Sequence, residues 1–462
     1  MAAAPWDLAD AAGGNNEQQY QPVYDTLLHI DPAGKMVPNL AESWSYSADQ
    51  KTLTLQIRGG QKFTDGEPVN GEAVKASLLR AKNGTNIAAS DLQQVTEIAS
   101  SENKVDIKLN GPDPALLTAL GKLAGMVASP KALVKPEVPV GSGPYKLDTS
   151  ATTAGSQYTF VRSPDYWNAG AYPYDTVVIK PIPDPSARFN ALVSGQVDSA
   201  IIPPARVDPA QKAGMNITSY IPGDVEGLYI WDRTGTIVPA LANVKVRQAI
   251  NYAFDRVQIL KTALKGQGVI TTQMFNRNST AFDAALNAQY AYDPAKAKQL
   301  MAEAGYPNGF EVTIPDLSAQ FPEQQAAINQ SLADIGIRVK LVPIPLDQLF
   351  TSLMSGKYAM SYFKLQSNAP WDTVKKEFLK SGGWNPFKYV DPKAQDLIDR
   401  AQLATGPDQD RLFKQLNAYI VDQAWNAPWD ALQATYASIS SVKITEQPYF
   451  SNPPLSSYKP AQ

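Results

Sequence analysis

Residues Ile328-Asn-Gln-Ser-Leu-Ala-Asp-Ile-Gly-Ile-Arg-Val-Lys-Leu341 carry the pattern that best indicates the fold. Ile328, Leu332 and Ile335 recur at helical spacing, and Gly336 follows at the position where a helix commonly ends. Directly afterwards, apolar residues at 337, 339 and 341 alternate with charged ones, which is the period of a half-buried strand. A helix, a glycine and a strand in immediate succession are typical of α/β structure.

Strand and helix patterns also alternate towards the N-terminus of this segment. Residues 52–57 and 105–109 alternate with period two and predict strands. Asn70 is a predicted helix cap, and Asp184 and Asp293 each stand before a proline at the first helical position. A long helix is predicted to begin at Asn243. Its inward-facing residues would be Val246, Ile250, Phe254, Val257 and Leu264.

Length and charge limit the domain organisation and the partners. The chain has 462 residues and a formal net charge of −3, with charges of both signs well mixed. A single hydrophobic core stops growing near about 250–300 residues, so two or more lobes are expected. No linker separates such lobes in the sequence, which indicates lobes built from discontinuous pieces of chain. Because the basic surface of nucleic-acid-binding proteins is missing, no nucleic-acid partner is expected.

The residue types available for chemistry argue against most enzyme classes. The sequence has no cysteine and one histidine, His29, whereas His is the commonest general base and metal ligand. No GxSxG, HExxH or phosphate-loop motif is present. We therefore predict no catalytic residue, no metal and no cofactor. A carboxylate-based hydrolase is the less favoured alternative, since the chain has 44 Asp and Glu residues.

The sequence shows no membrane span and no export signal. No stretch reaches the roughly 18–20 apolar residues of a membrane span. Residues 1–5 lack a basic region followed by an apolar core, so no signal peptide is predicted in them. A cytosolic protein, a mature chain whose signal was removed and a lipid-anchored native form are all compatible with this start.

Aromatic residues give the clearest binding signal. The chain has 8 Trp and 21 Tyr, and several lie in segments without a regular core pattern. Aromatic rings on loops offer flat apolar walls with polar edges, which suit peptides or sugar rings. Ordinary packing is the alternative for each of them. These residues are Tyr229, Trp231, Tyr362, Phe363, Trp371 and Trp384.

A series of short strings resembles the bacterial extracellular solute-binding proteins of family 5, the peptide, nickel and opine type. Each string alone is weak, but their order along nearly the whole chain is specific. The strings are YDTLL at 24–28, VPNLAESW at 37–44, RGGQKFTDG at 58–66, GSGPY at 141–145, DYW at 165–167, ALVSGQVD at 191–198, NVKVRQAI at 243–250 and AGYPNG at 304–309.

The resemblance implies an α/β, two-lobed periplasmic-binding-protein fold of the large type II, with an extra subdomain inserted in the first lobe. Carried onto this chain, residues 1–40, 148–240 and 435–462 form the first lobe, residues 41–147 the inserted subdomain and residues 241–434 the second lobe. Lobes of this kind close on a ligand because the closed form makes contacts that the open form lacks.

The resemblance also implies a function. It is that of an extracytoplasmic solute-binding protein of an ABC importer, without enzyme activity. The implied partners are a small-molecule ligand and the permease subunits, and the protein is expected to be a monomer. It would act in the periplasm or at the outer face of the cytoplasmic membrane. A sensory role, in which a receptor reads the closed form, would use the same trap.

The class of ligand stays open at this stage. In peptide-binding relatives, an Asp after a Gly-x-Tyr-Asp string binds the peptide's ammonium group. Here the equivalent residue is Ser367 or Asn368, both neutral, with Lys364 nearby, and Asp372 is the candidate if the alignment shifts. A buried ammonium without a carboxylate is costly. A short peptide or peptide-like molecule is favoured, and an oligosaccharide or glycoside and an opine-like conjugate are the alternatives.

The predicted ligand-binding residues combine aromatic walls with polar contacts. They are Tyr24, Trp231, Tyr362, Lys364, Asn368, Trp371, Asp372 and Trp384.

Overall fold

The computed structural model describes residues 5–11, 16–366 and 369–461, except for the side chains of residues 346 and 347. Contacts divide the chain into two compact units. Unit 1 comprises Met1–Tyr220 and Ala434–Gln462, and unit 2 comprises Ile221–Gln433. Unit 2 thus begins ahead of the lobe boundary predicted at residue 241. The three-part division with an inserted subdomain stays a prediction.

Unit 1 begins with short elements and a four-stranded antiparallel sheet. In chain order its elements are α1 (Glu17–Tyr20), β1 (Leu28–Ile30), β2 (Met36–Pro38), β3 (Ala41–Tyr46), β4 (Thr52–Ile57), α2 (Gly71–Lys82), α3 (Ile87–Asp91), β5 (Val95–Ser101) and β6 (Lys104–Leu109). β1 pairs with β2, and the sheet has the order β3-β4-β6-β5. The two strands predicted from period-two alternation are β4 and β6, and both alternate in burial.

Helix α2 packs against this sheet. Asn70 caps the helix, because its side-chain oxygen accepts a hydrogen bond from the Ala73 N–H at 3.0 Å. Val74, Leu78 and Ala81 are buried and join the main hydrophobic core of unit 1 with the side chains of β4 and β6. The predicted cap and inward face are therefore confirmed.

The remainder of the first piece adds a three-stranded sheet, four short helices and two further strands. Its elements are α4 (Leu116–Leu120), α5 (Pro130–Val134), β7 (Tyr145–Leu147), β8 (Tyr158–Arg162), β9 (Thr176–Ile179), α6 (Pro185–Val193), β10 (Ser199–Ile201), α7 (Val207–Lys212) and β11 (Asn216–Tyr220). β7, β8 and β9 pair antiparallel in that order. Asp184 caps α6 through the Ala187 N–H at 2.7 Å, as predicted. Gly141 packs so closely that a Cβ would lie 2.0 Å from the Val23 carbonyl oxygen.

Unit 2 contains a four-stranded antiparallel sheet, a parallel strand pair and most of the long helices. Its elements are β12 (Asp224–Ile230), α8 (Val244–Ala253), α9 (Arg256–Ala263), β13 (Gly268–Ile270), α10 (Pro294–Glu303), β14 (Glu311–Asp316), α11 (Pro322–Asp334), β15 (Arg338–Pro343), α12 (Leu346–Met354), β16 (Met360–Gln366), α13 (Pro370–Thr373), a π-helical turn (Val374–Phe378), α14 (Pro392–Leu403), α15 (Gly406–Asp422) and β17 (Ala427–Leu432). The sheet has the order β13-β17-β12-β16.

The segment that indicated the fold class has the predicted structure. α11 ends at Asp334, Gly336 has a φ of +84°, and β15 then pairs in parallel with β14. Ile328, Leu332 and Ile335 are buried, as expected for the inward stripe. A Cβ at residue 309 would lie 1.7 Å from the Gly336 carbonyl oxygen, so the close approach of these two backbone segments requires glycine at position 309.

The long helix predicted from Asn243 is instead two helices, and this prediction was wrong in part. Phe254 has an extended ψ of 115°, which ends α8. The Asp255 side chain then accepts a hydrogen bond from the Gln258 N–H at 2.9 Å and starts α9. The break rotates α9 relative to the predicted stripe, so Val257, expected to face inward, is 66% exposed. A capping residue inside an apolar periodicity was the overlooked signal.

The second piece of unit 1 completes its sheets. It contains β18 (Ala434–Ser438), β19 (Val442–Ile444) and β20 (Tyr458–Pro460). β18 lies between β10 and β11 and pairs antiparallel with both, so strands distant in sequence share one sheet. This pairing joins the two pieces of unit 1 in one sheet.

Candidate functional site

Strand β12, Asp-Val-Glu-Gly-Leu-Tyr-Ile, organises the centre of the unit 2 sheet between β17 and β16. Its register with β17 shifts between Glu226 and Gly227, which leaves Trp429 as an extra residue on β17. Gly227 is required there, since a Cβ would lie 2.4 Å from the Pro428 Cα. The bulge brings both Trp429 and Asp430 beside Glu226.

On one face of this sheet lies an aromatic cluster of Trp231, Phe363, Trp384 and Phe350. Trp231 is 1% exposed, and its Nε1–H donates to the Ser361 Oγ at 3.0 Å. The Trp384 ring lies 6.1 Å from Trp231, 4.5 Å from Phe363 and 5.0 Å from Phe350. Phe350 is exposed and Trp384 half-buried, so solvent reaches the aromatic cluster at that end and not at Trp231.

The opposite face of the sheet holds Tyr362 and Lys364, because side chains alternate along a strand. The Tyr362 hydroxyl donates to Glu226 Oε2 at 2.6 Å, and its ring stacks on Trp429 at 6.0 Å. Burial, and then the charge of Glu226, raise the pKa of Tyr362. Lys364 is exposed and stands opposite Glu226 in register. The structure therefore does not bring Trp231 and Trp384 onto the same wall as Tyr362 and Lys364.

The segment after β16 carries three of the other predicted residues. Asn368 lies outside the described residues. Trp371 is 3% exposed, and neither its Nε1–H nor the buried Nε2 of Gln366 has an acceptor among the described residues. Asp372 pairs with Lys376 at 2.9 Å, and the same ammonium donates to the Gln366 carbonyl at 3.1 Å. Gln366 and Trp371 thus each carry a buried hydrogen-bond donor that no described residue accepts.

Tyr24 lies in unit 1, whereas the other seven predicted residues belong to unit 2. It is buried, its hydroxyl donates to the Trp6 carbonyl at 2.9 Å, and burial raises its pKa. Tyr24 borders a cavity of about 240 Å³ within unit 1, which Asp25, His29 and Lys122 also line. The sole histidine is half-buried there, and burial lowers its pKa.

Asp25 explains several of the strings on which the resemblance rests. Its carboxylate accepts hydrogen bonds from Asn39 Nδ2 at 3.1 Å, the Tyr166 hydroxyl at 3.1 Å and Trp167 Nε1 at 3.2 Å. Arg58 lies over the Trp167 ring at 4.2 Å. Burial raises the pKa of Asp25 to about 6, although these hydrogen bonds and Arg58 act in the opposite direction. Four strings distant in sequence therefore meet at one structural carboxylate.

Sequence reasoning missed four residues that the site geometry singles out. Glu226 and Asp430 are buried carboxyl groups on paired strands, Gln366 carries an unused donor, and Phe350 is the exposed end of the aromatic cluster. An acidic residue inside an apolar run, as at Glu226, was a readable signal. The role of the other three depends on pairing and packing between distant segments.

The family whose sequence model matches this chain is described as bacterial extracellular solute-binding proteins, family 5 (middle), and the match covers residues 35–384. The chain belongs to this family. Family 5 proteins are the solute-binding components of ABC importers, and this function, predicted from the ordered strings, is confirmed. The family is periplasmic or extracellular.

Relatives of this family 5 protein include glutathione-binding proteins. The chain is 32% identical over 433 residues to the glutathione-binding protein GsiB of Escherichia coli K12, which covers 88% of this chain and 82% of the relative. The GsiB of Pectobacterium atrosepticum is 26% identical over 468 residues, covering 96% and 88%. These relatives are binding proteins and not enzymes.

The fold of this family 5 protein is similar to those of solved binding proteins. The binding protein AgaA from A. tumefaciens R10, solved with agropinic acid, has a TM-score of 0.84 at 26% identity and covers 100% of this chain and 97% of its own. DppA from Helicobacter pylori, solved with the peptide STSA, has a TM-score of 0.84 at 22% identity, with the same coverage. The predicted α/β periplasmic-binding-protein fold is confirmed. Among the described residues, no helix is long and apolar enough to cross a membrane.

Proposed function

We propose that this family 5 protein captures a short peptide or peptide-like molecule and delivers it to the permease of an ABC importer. The observation that carries this ligand class is the 32% identity to proteins named for glutathione binding. Glutathione is therefore the first ligand to test. The protein would act as a monomer in the periplasm or at the outer face of the cytoplasmic membrane, without chemical change to its ligand.

The unused donors at the end of β16 and in α13 support a ligand rich in acceptor oxygens. Gln366 Nε2 and Trp371 Nε1 are buried donors without acceptors among the described residues, and leaving such groups unpaired is costly. Peptide carbonyl and carboxylate oxygens would supply the missing acceptors. Lys364 adds an exposed positive charge on the strand that leads into this segment. Asp372 already pairs with Lys376, which leaves it less suited to an ammonium group.

Calorimetric titration with a small ligand set tests the ligand class. The set comprises reduced and oxidised glutathione, an unmodified glycine tripeptide, agropinic acid and a maltooligosaccharide. We expect glutathione or the tripeptide to bind most tightly. Tight binding of agropinic acid alone would replace the peptide proposal with an opine, which Lys364 and the 26% identity to AgaA would accommodate. Binding of the sugar alone would overturn both.

Two matched tryptophan variants test the proposed donor. Trp371→Phe keeps an aromatic ring and removes the indole N–H, and we expect a loss of about 0.5–1.5 kcal/mol in affinity, the usual contribution of one hydrogen bond. Trp425→Phe is the control, because its buried Nε1–H also has no acceptor among the described residues but lies outside the segment 366–376. Equal affinity of both variants and the unmodified protein would remove Trp371 from the site.

Native mass spectrometry of the protein as purified tests capture without chemistry. A retained ligand should add a mass that disappears after unfolding and refolding. The same molecule, recovered after long incubation with fresh protein, should be unchanged. A shift in the ligand's mass would instead support the hydrolase alternative. Loss of uptake in a deletion strain would support delivery to a permease, whereas loss of signalling with normal uptake would support the sensory alternative.

A further inference from the structure

Two carboxyl side chains meet in the middle of the unit 2 sheet. Glu226 on β12 and Asp430 on β17 are register partners, and their exposed fractions are 1% and 0%. Two carboxylates buried side by side repel each other in a low-dielectric interior, so both cannot be ionised without a compensating positive charge. The structure must therefore hold either a proton or a cation at this position.

The hydrogen bonds around the pair are distributed unequally. Glu226 accepts from the Tyr362 hydroxyl at Oε2 and from Trp429 Nε1 at Oε1, at 2.6 and 3.0 Å. Hydrogen bonds to a carboxylate favour its charged form. Both oxygens of Asp430 are buried, and they receive no hydrogen bond from the described residues. The donors thus stabilise charge on Glu226, and Asp430 lacks that stabilisation.

The cationic side chains on neighbouring elements are committed elsewhere or directed to solvent. Lys364 on β16 stands opposite Glu226 but is exposed. From α9, Arg256 donates to the Pro428 carbonyl at 2.8 Å, and from α8, Arg247 donates to the Gln423 carbonyl at 3.0 Å. The β13 strand, residues 268–270, carries no titratable group. Within the described part of the chain, no ion pair to Asp430 is present.

We propose that Glu226 and Asp430 form a proton-binding site. In this site the carboxyl group of Asp430 is protonated, and its O–H donates a hydrogen bond to the Glu226 carboxylate. A carboxylate offers about four acceptor positions, and Tyr362 and Trp429 use two of those on Glu226. The shared proton leaves one negative charge on the pair. It also satisfies Asp430, whose oxygens otherwise lack a partner.

The site makes the stability of unit 2 depend on pH. Burial raises the pKa of Asp430 above its ordinary value of 3.8, and the charge of Glu226 raises it further. The unfolded chain releases this proton once pH exceeds the ordinary Asp range, while the folded chain keeps it. The stability contribution is therefore complete at acidic pH and is lost as pH rises towards the folded-state pKa.

Infrared spectroscopy at neutral pH tests the proton directly. Burial raises the pKa of Glu377 to about 8, so this group would give the same band, and the measurement is made in a Glu377→Gln background. In that background we expect the carbonyl stretch of a protonated carboxylic acid, and its loss in Asp430→Asn. Asp232→Asn is the matched control: Asp232 is equally buried but accepts four hydrogen bonds, and the band should persist in this variant.

Equilibrium unfolding across pH gives a second readout. One proton released on unfolding changes the unfolding constant about tenfold per pH unit, and Asp430→Asn should remove this component between acidic and neutral pH. A cation in place of the proton would give no acid band and a stability that depends on whether sodium or potassium is present at equal ionic strength. That result, or an unchanged pH profile in Asp430→Asn, would overturn the proposal. Ligand titration of Asp430→Asn separates this site from the proposed ligand function.

Discussion

At the scale of single residues, Asp25 connects four strings of the family pattern. Its carboxylate holds Asn39, Tyr166 and Trp167 together. Asp25→Ala would remove the acceptor that these three donors share, although Asn39 also donates to the Thr26 carbonyl. We therefore expect the free energy of unfolding to fall by about 1–3 kcal/mol. Chemical denaturation measures this loss. Asp31→Ala is the control, because that carboxylate accepts only exposed turn hydrogen bonds and should change stability little. An equal effect in both variants would contradict the structural role of Asp25.

Trp231 and Phe350 mark opposite ends of the aromatic cluster. Trp231 is 1% exposed, so Trp231→Ala should cost about 3–5 kcal/mol of stability through cavity formation. Phe350 is 54% exposed, and Phe350→Ala should leave stability nearly unchanged. Denaturant unfolding and ligand titration of the two variants separate packing from binding. If the exposed end of the aromatic cluster contacts the ligand, Phe350→Ala should bind the ligand more weakly than the unmodified protein. A stable, weakly binding Trp231→Ala would show that the indole serves the ligand instead of the core.

At the scale of elements, the π-helical turn Val374–Phe378 presents Glu377 to the interior. Burial raises the pKa of Glu377 to about 8, although the positive charges of Arg233 and Lys376 lower it. The folded chain therefore keeps a proton that the unfolded chain releases near its ordinary pKa of 4.5. Stability contributed by this group is complete at acidic pH and is lost as pH rises towards 8. Glu377→Gln should flatten the pH dependence of unfolding over this range, whereas exposed Glu303→Gln should not.

The junction between α8 and α9 depends on a single cap. Asp255→Ala removes the acceptor for the Gln258 N–H, and we expect a loss of about 0.5–2 kcal/mol in the free energy of unfolding. Thermal or denaturant unfolding checks the loss, with Val257→Ala as an exposed control on the same helix. If Asp255→Ala were neutral, the cap would not explain why one apolar periodicity forms two helices.

These elements also show what the sequence could predict. Caps and glycines act within a few residues, so Asn70, Asp184 and Gly336 were readable before the structure was known. The bulge between Glu226 and Gly227 depends on how β12 pairs with β17, which lies far away in sequence. The same holds for the pairing of Glu226 with Lys364 and Asp430. Register between distant strands decides these features, and local periodicity carries no information about it.

At the scale of the whole molecule, the ordered family strings predicted the fold and the class of function. They did not predict the ligand, because its identity depends on individual side chains of the site. If the proposed ligand binds only the folded chain, it must raise stability by mass action. At a free concentration of about 100 times Kd, the gain is about 2.7 kcal/mol. A thermal melt with increasing glutathione should show a steadily rising Tm, and the glycine tripeptide gives the comparison. If no tested peptide raised the Tm, the proposed peptide ligand would be wrong, whereas the solute-binding function of the family would still hold.

The position of β18 has a consequence for how the protein is made. β18 is the middle strand of the sheet that also contains β10 and β11, yet it is the last of the three to leave the ribosome. Until residues 434–438 have been synthesised, β10 and β11 have no strand between them. A growing chain therefore lacks the central strand of this sheet until synthesis has passed the whole of unit 2. A chain that terminated before residue 434 would leave the facing edges of β10 and β11 unpaired, and unpaired strand edges favour aggregation.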